Sequence, residues 1–490
     1  MLFTSPVFVF FTSSVAILYY FAPNPLRHKE IFQPLFLTLA SMVFYGWHSP
    51  MLVILLSTSL FVNGLASRYL LQPYREASTR RLILILGVAA NLGALAFFKY
   101  ASMLVSTFLP SSWVRGMTPF LREIPLPVGI SFYTLQGLSL LIDSYKRRTE
   151  GMEGLLNEID GHPLRLYGKI SFYISFFPRL MAGPISKAHE FVNQIGPKGV
   201  RDIDWNDAQR KLITGFFLKM VVADNLKEVT DAIGQPTFLE LSSVTLLALL
   251  YGYSFQIFAD FAGYSLIAMG LGRLFGYRFP VNFEFPYLSE SLTEFWRRWH
   301  ISLTSWLREY LYIPLGGNRE GALRTYFNIF VVMFLCGLWH GAAWGFAVWG
   351  TAHGILLAAE RLFRNRFGVI RKGRPRMISR FLRIFMTFNI VTFLWLPFRL
   401  GDFHQEIEYL RIIARGTYDI KPQMIFVLLF FSIPVVMYHI WGATAEVRSQ
   451  MRNLAGSRLY SLIESSILAL MLFMILVNFG APSAFIYFQF

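Results

Sequence analysis

Nine histidines are spread through the 490 residues, and three of them fall between positions 300 and 353. His340 stands in Leu338-Trp339-His340-Gly341-Ala342, where one strongly apolar run ends and another is about to begin. A neutral imidazole at membrane depth can exchange a proton near neutral pH, and burying it without a partner is costly. Two readings follow: a general base or proton carrier, or a histidine donating one structural hydrogen bond between helices. His300 follows Trp299 and precedes Ile301-Ser302-Leu303. Its surroundings alone suit a solvated or packing residue as well as a catalytic one. His353, beside Gly354 in the next apolar run, reads as packing. His28, His48, His162, His189, His404 and His439 lie near run ends and loops with nothing to mark them.

Other chemistries lack their motifs. No His-Glu-x-x-His or Asp-rich cluster occurs, so no metal site is expected. Neither a phosphate-binding Gly-x-x-x-x-Gly-Lys-Ser/Thr loop nor a Gly-x-Ser-x-Gly elbow is present, which leaves a nucleotide-driven pump and a serine hydrolase unsupported. The single cysteine, Cys336, rules out disulfides and thiolate zinc sites and reads as a small packing residue. Asp260 closes the phrase Gln256-Ile257-Phe258-Ala259-Asp260 and needs a partner there, an arginine or a backbone amide, as a structural buttress.

The elements that must hold these residues are membrane helices. The chain is 54% hydrophobic and 15% charged, where soluble domains carry about 25% charge. Apolar runs cover 3–22, 31–47, 51–71, 82–98, 126–142, 243–259, 326–339, 343–359, 384–398, 423–441 and 461–479. They lack the two-residue alternation of a membrane barrel. The expected fold is all-α, one domain over 1–490, a polytopic helix bundle of about 11–12 crossings plus re-entrant and interfacial helices. No Lys or Arg precedes the first run, Arg27 being the first, so it reads as a permanent span and not as a removable signal.

The net charge of +16 would suggest nucleic acid in a soluble protein. Here the bases sit between apolar runs, at Arg27 and Lys29, at Arg68, Arg75, Arg80 and Arg81, at Lys146, Arg147 and Arg148, and from Arg361 to Arg383. Cytoplasmic loops collect such residues, so no nucleic-acid partner is expected and the N-terminus is placed outside. The more acidic 401–422 loop suits the outer face, and a separate crossing by 262–279 would put the C-terminus there too.

Two interruptions stand out. In 165–186, Pro178 and Gly183-Pro184 break a membrane-like stretch, which fits a re-entrant hairpin or a kinked span. In 282–318, Phe295, Trp299, Ser302, Trp306 and Tyr310 recur at helical spacing among Glu294, Arg297, Arg298, Arg308 and Glu309. That helix is too charged to cross lipid and is expected in the interface or packed under the bundle. Gly337, Gly341, Gly345, Gly350 and Gly354 allow close helix approach around His340.

At these residues the chain resembles the membrane-bound O-acyltransferase family, in its alginate O-acetyltransferase-like bacterial branch. The resemblance runs from Phe3-Thr4-Ser5-Pro6 and Tyr45-Gly46-Trp47 through Pro127-Val128-Gly129-Ile130-Ser131-Phe132 and Met181-Ala182-Gly183-Pro184. It is densest from Gln256 to Gly350, including Glu294-Phe295-Trp296-Arg297-Arg298-Trp299-His300-Ile301-Ser302-Leu303, and ends on Phe485-Ile486-Tyr487-Phe488-Gln489-Phe490. Leu266 and Arg179 depart from what many members carry at those places.

The resemblance implies acyl transfer, acetyl above all, from a cytoplasmic thioester donor to an exported polysaccharide such as alginate or cellulose, in a bacterial inner membrane. It implies His340 as general base, and His300 as lining the donor side of a tunnel or assisting the charge at the reaction centre. Arg297, Arg298, Trp299 and Trp306 are then the candidates for binding the donor, acetyl-CoA or an acyl carrier protein thioester, with membrane lipid headgroups as the other partner for the arginines. A partner protein on the outer side would complete delivery to the polymer. A transporter-like subunit or a non-catalytic scaffold of an export complex is the alternative. Against the transporter, no paired broken helices in corresponding halves are visible.

Overall fold

The computed structural model describes the chain except residues 23–29, 48, 73–74, 111, 115–116, 118–126, 147–149, 160, 369–376, 445–455, 479–484 and 486–490, and the side chains of 456–460. Arg27, His28, Lys29, His48, Arg147, Arg148, Arg371, Lys372, Arg374, Arg376 and the last five residues of the C-terminal phrase therefore lie outside the described residues. Among those described there are helices and no strand. Six helices among the described residues are long and apolar enough to cross a bilayer: Met51–Leu71, Ala77–Phe108, Ser243–Leu274, Ala322–His340, Met377–Leu400 and Pro422–Ala443. Pro6–Phe21, Phe32–Gly46 and Ser461–Val477 are shorter apolar helices. Large apolar side chains such as Phe10, Ile85, Phe381, Phe426 and Leu429 point outward, while Asn63, Asn91, Thr387 and Thr392 are buried. Lipid is the solvent this arrangement suits, and the protein is a polytopic membrane protein.

The backbone gathers into two compact units, residues 1–212 with 267–280, and residues 213–266 with 281–490. In the first, Asn63 on Met51–Leu71 and Asn91 on Ala77–Leu95 exchange side-chain hydrogen bonds of 3.2 and 2.9 Å. The 165–186 stretch is a true break and not a continuous kinked helix. Helix Pro163–Ser175 ends, one turn follows at Phe177–Leu180, and the chain then runs without regular structure to Ala188. Nearly every residue from Phe172 to Ala188 is buried in protein, as irregular backbone at membrane depth requires. Arg179 is fully buried there, its guanidinium 4.0 Å from the Phe191 ring centre and 4.9 Å from that of Tyr173.

The second unit holds the residues singled out for chemistry. The helix Ser243–Leu274, which belongs to this unit up to Leu266, is longer than the apolar run that announced it, and 262–274 continues that helix instead of crossing separately. The parity that would have placed the C-terminus outside loses its basis. The reason is at Asp260, whose charge seemed to close the span. Lys219 lies 2.7 Å from Asp260 and 2.7 Å from Asp224, with all three side chains buried. Asp260 is thus buttressed by a lysine, where an arginine or a backbone amide was expected. Lys219 sits in a π-helical turn, Phe217–Ala223, between helices Trp205–Phe216 and Asp224–Thr230.

The 401–422 loop contains a helix of its own, Phe403–Ala414, because Asp402 caps it by accepting from the Gln405 N–H at 3.0 Å. Glu406 on that helix is 6% exposed. Burial, reinforced by the neighbouring charge of Asp402, raises its carboxyl to about 7 from 4.5. The unfolded chain ionises this group at its ordinary value, so the folded form is favoured most below pH 4.5 and loses that advantage as pH rises through 7. Glu406→Gln is expected to raise the thermal midpoint at pH 8, by a stability of the order of 1–3 kcal/mol, and to leave it unchanged at pH 4. Equal gains at both values would contradict this.

Candidate active site

The stretch expected to be one helix is two. Leu292–Arg298 is capped by the Ser291 hydroxyl, which accepts from the Glu294 N–H at 3.1 Å. Ile301–Leu307 begins after a corner at which His300 has φ 45°, in the left-handed region a non-glycine residue rarely adopts. Asn282 holds that corner. Its carbonyl accepts from Ile301 N–H at 2.9 Å, its side-chain oxygen accepts from the Ser302 hydroxyl at 2.5 Å, and its amide donates to Ser265 Oγ at 2.9 Å. The glutamate two residues on adds a rung, Glu284 N–H donating to Arg298 C=O at 3.0 Å. The corner throws His300 inward, where it is fully buried with Phe261 at 4.6 Å between ring centres.

His340 is the last residue of Ala322–His340. Its Nδ1 lies 2.6 Å from the Cys336 carbonyl oxygen. A carbonyl can only accept, so Nδ1 carries the proton and the neutral ring keeps its lone pair at Nε2. Trp339, Trp349 and Phe398 stand edge to face around it at 5.1, 5.0 and 5.6 Å between centres. His300 is 6.0 Å away. The two histidines picked from the sequence therefore share one buried, ring-walled place. Burial first, and then His340 beside it, push the His300 pKa well below the usual histidine value, which keeps His300 uncharged at neutral pH.

Close helix packing fixes His340 in turn. A β-carbon on Gly337 would collide with the carbonyl oxygen of Phe346, and one on Gly350 with that of Met333. Only glycine lets helices Ala322–His340 and Trp344–Phe367 approach so nearly.

The four residues expected to bind the donor separate by exposure. Arg297 is exposed, and Arg298 is half-buried and paired with Glu294 at 2.7 Å. Trp299 is buried against Phe283 at 4.9 Å and Trp395 at 5.0 Å, and Trp306 against Tyr310 at 5.0 Å. Two further residues support these, one of them, His353, read from the sequence as packing. Asn282 shapes the corner, and His353 is buried with its Nδ1 accepting from Trp296 Nε1 at 3.2 Å. No group of three or more metal-ligating side chains gathers among the described residues.

The model of the membrane-bound O-acyltransferase family matches residues 167–398, which contain all three central histidines. The probable alginate O-acetylase AlgI of Pseudomonas aeruginosa is 37% identical over 86% of this chain and 76% of its own length. The peptidoglycan O-acetyltransferase of Helicobacter pylori is 33% identical over 84% of this chain and 79% of its own length. The chain belongs to the membrane-bound O-acyltransferase family. Within the family it falls in the alginate O-acetylase-like bacterial branch. A more distant relative, the teichoic acid D-alanyltransferase of Bacillus subtilis, is 27% identical over 63% of the chain and 80% of its own length. Acyl transfer is the chemistry that membership of this family carries.

Proposed function

We propose that this protein O-acetylates an exported polysaccharide, drawing the acyl group from a thioester on the cytoplasmic side of a bacterial inner membrane. His340 is the general base. Its Nε2 takes the proton of an acceptor hydroxyl as that oxygen attacks the thioester carbonyl carbon. The carbon–sulfur bond then breaks, and the leaving thiolate takes the proton back from Nε2. The observation that carries this reading is the bond from Nδ1 to the Cys336 carbonyl, which fixes the tautomer with its basic nitrogen at Nε2.

His300, neutral and 6.0 Å from His340, lines the donor side of the same place without adding charge. Arg297, the exposed arginine of the pair, is the one placed to meet the phosphates of coenzyme A or an acidic carrier protein. An exported polysaccharide such as alginate or cellulose is the proposed acceptor class; several relatives bear names of alginate acetylation. A partner on the outer side completes delivery to the polymer. Vesicles of the native membrane, which retain the outer-side partner, given acetyl-CoA labelled in the acetyl group on the donor side, should transfer label to an oligosaccharide on the other side, and vesicles holding a His340→Ala protein should not. Label found only as free acetate or unreacted donor, with every acceptor tried, would contradict the proposal.

A further inference from the structure

Trp349, in the ring wall around His340, and His353, packed against Trp349, carry two hydrogen-bond donors that no protein acceptor satisfies. Trp349 is fully buried and its indole Nε1 has no partner. An indole nitrogen can only donate. His353 is fully buried as well. Because its Nδ1 accepts from Trp296, its proton sits on Nε2, and that nitrogen too has no partner. Trp349 lies 5.0 Å from His340 and 5.0 Å from His353 between ring centres, so its indole borders both histidines. Two donors cannot satisfy each other, and neither donates to His340.

Buried donors left unpaired are rare and mark strain, a catalytic role or a ligand oxygen. Helix packing around Gly350 holds Trp349, one residue earlier, and the Trp296 bond holds His353, so both N–H groups are fixed in advance. We infer that Trp349 Nε1 and His353 Nε2 donate to the carbonyl oxygen of the acyl donor, and stabilise the negative charge it gains when the acceptor oxygen adds. The inference rests on His340 being the base and completes that site. His340 Nε2 handles the proton of the attacking hydroxyl. The two donors receive the oxyanion, and collapse of the adduct returns the electron pair to the carbonyl as the carbon–sulfur bond breaks. Preorganised donors of this kind act where charge develops and need no rearrangement at the moment of reaction.

The test uses the full-length protein in vesicles with labelled acetyl-CoA. Trp349→Phe and His353→Phe should each lower kcat by ~10²–10³-fold, the usual loss for one such donor, while KM for acetyl-CoA stays within about twofold. His353→Gln, which keeps an N–H donor, should recover at least about tenfold over His353→Phe. Trp349 exchanged for 3-benzothienylalanine keeps the bicyclic shape, loses only the N–H, and should match Trp349→Phe. This exchange keeps the assignment testable if the smaller side chain fails to fold. Wild-type kcat in the benzothienyl and His353→Phe proteins overturns the assignment. So does a fall in activity that tracks a lower thermal midpoint and that His353→Gln does not relieve. A His340→Ala protein as active as wild type, or a wild-type protein inert with both acetyl-CoA and an acetylated carrier protein, overturns the acyl-transfer reading itself and this assignment with it.

Discussion

His340→Ala protein, inserted and folded as wild type, is expected to lose acyl transfer by at least ~10²–10⁴-fold, the contribution of a positioned general base. The loss should appear in kcat, with donor affinity nearly unchanged, since the Nε2 lone pair acts on the acceptor hydroxyl and not on the donor's phosphates. His340→Gln should be no better, because an amide nitrogen keeps the shape and has no basic pair. The Trp349 and Phe398 rings that face His340 are held by other contacts, Trp395 at 5.7 Å from Trp349 among them, so the cavity left by alanine should not unfold the protein. Quantifying polymer-bound acetate in cells, with protein level measured in the same membranes, checks this. A pore or a scaffold would tolerate either substitution, and retained acetylation would remove the base from the account.

Lys219→Met should be the most damaging change for the fold itself. It leaves Asp224 and Asp260 buried without the cation both of them contact at 2.7 Å. Removing one partner from a buried ion pair costs about 3–5 kcal/mol, chiefly because the remaining charge is stranded. The expected result is a protein that accumulates poorly or melts far below wild type. The double change of Lys219→Met with Asp260→Asn should be milder than the single one, since it strands one carboxylate fewer. Thermal unfolding of the detergent-purified proteins measures it. A single variant as stable as wild type would show that the three charges are not isolated from water. Activity should fall with stability, because Phe261, next to Asp260, is the ring on which His300 rests at 4.6 Å.

These two sites also mark how far the sequence could be read. Met51–Leu71 coincides with its apolar run, and Phe32–Gly46, Ala322–His340 and Pro422–Ala443 depart from theirs by a few residues. Local composition suffices for such spans because lipid tests each segment by itself. The run ending at 259 failed to announce a helix reaching Leu274, since the lysine that neutralises Asp260 lies 41 positions earlier. The corner at His300 was hidden for the same reason. The helical spacing from Phe295 to Tyr310 is real, but Asn282 overrides it through bonds that no window of sixteen residues contains. Family resemblance, and not spacing, paired His300 with His340. Neither source marked His353 or Trp349, whose part in the site depends on Trp296, 57 positions from His353.

The most direct measurement is a structure of the protein with a donor analogue that cannot transfer its acyl group, such as the thioether-linked ketone of coenzyme A. The account predicts its carbonyl carbon in the ring-walled space beside His340, with room for a hydroxyl oxygen about 3–3.5 Å from that carbon and within hydrogen-bond reach of Nε2. An analogue bound at some other place in the protein, with His340 sealed among Trp339, Trp349 and Phe398, would contradict it.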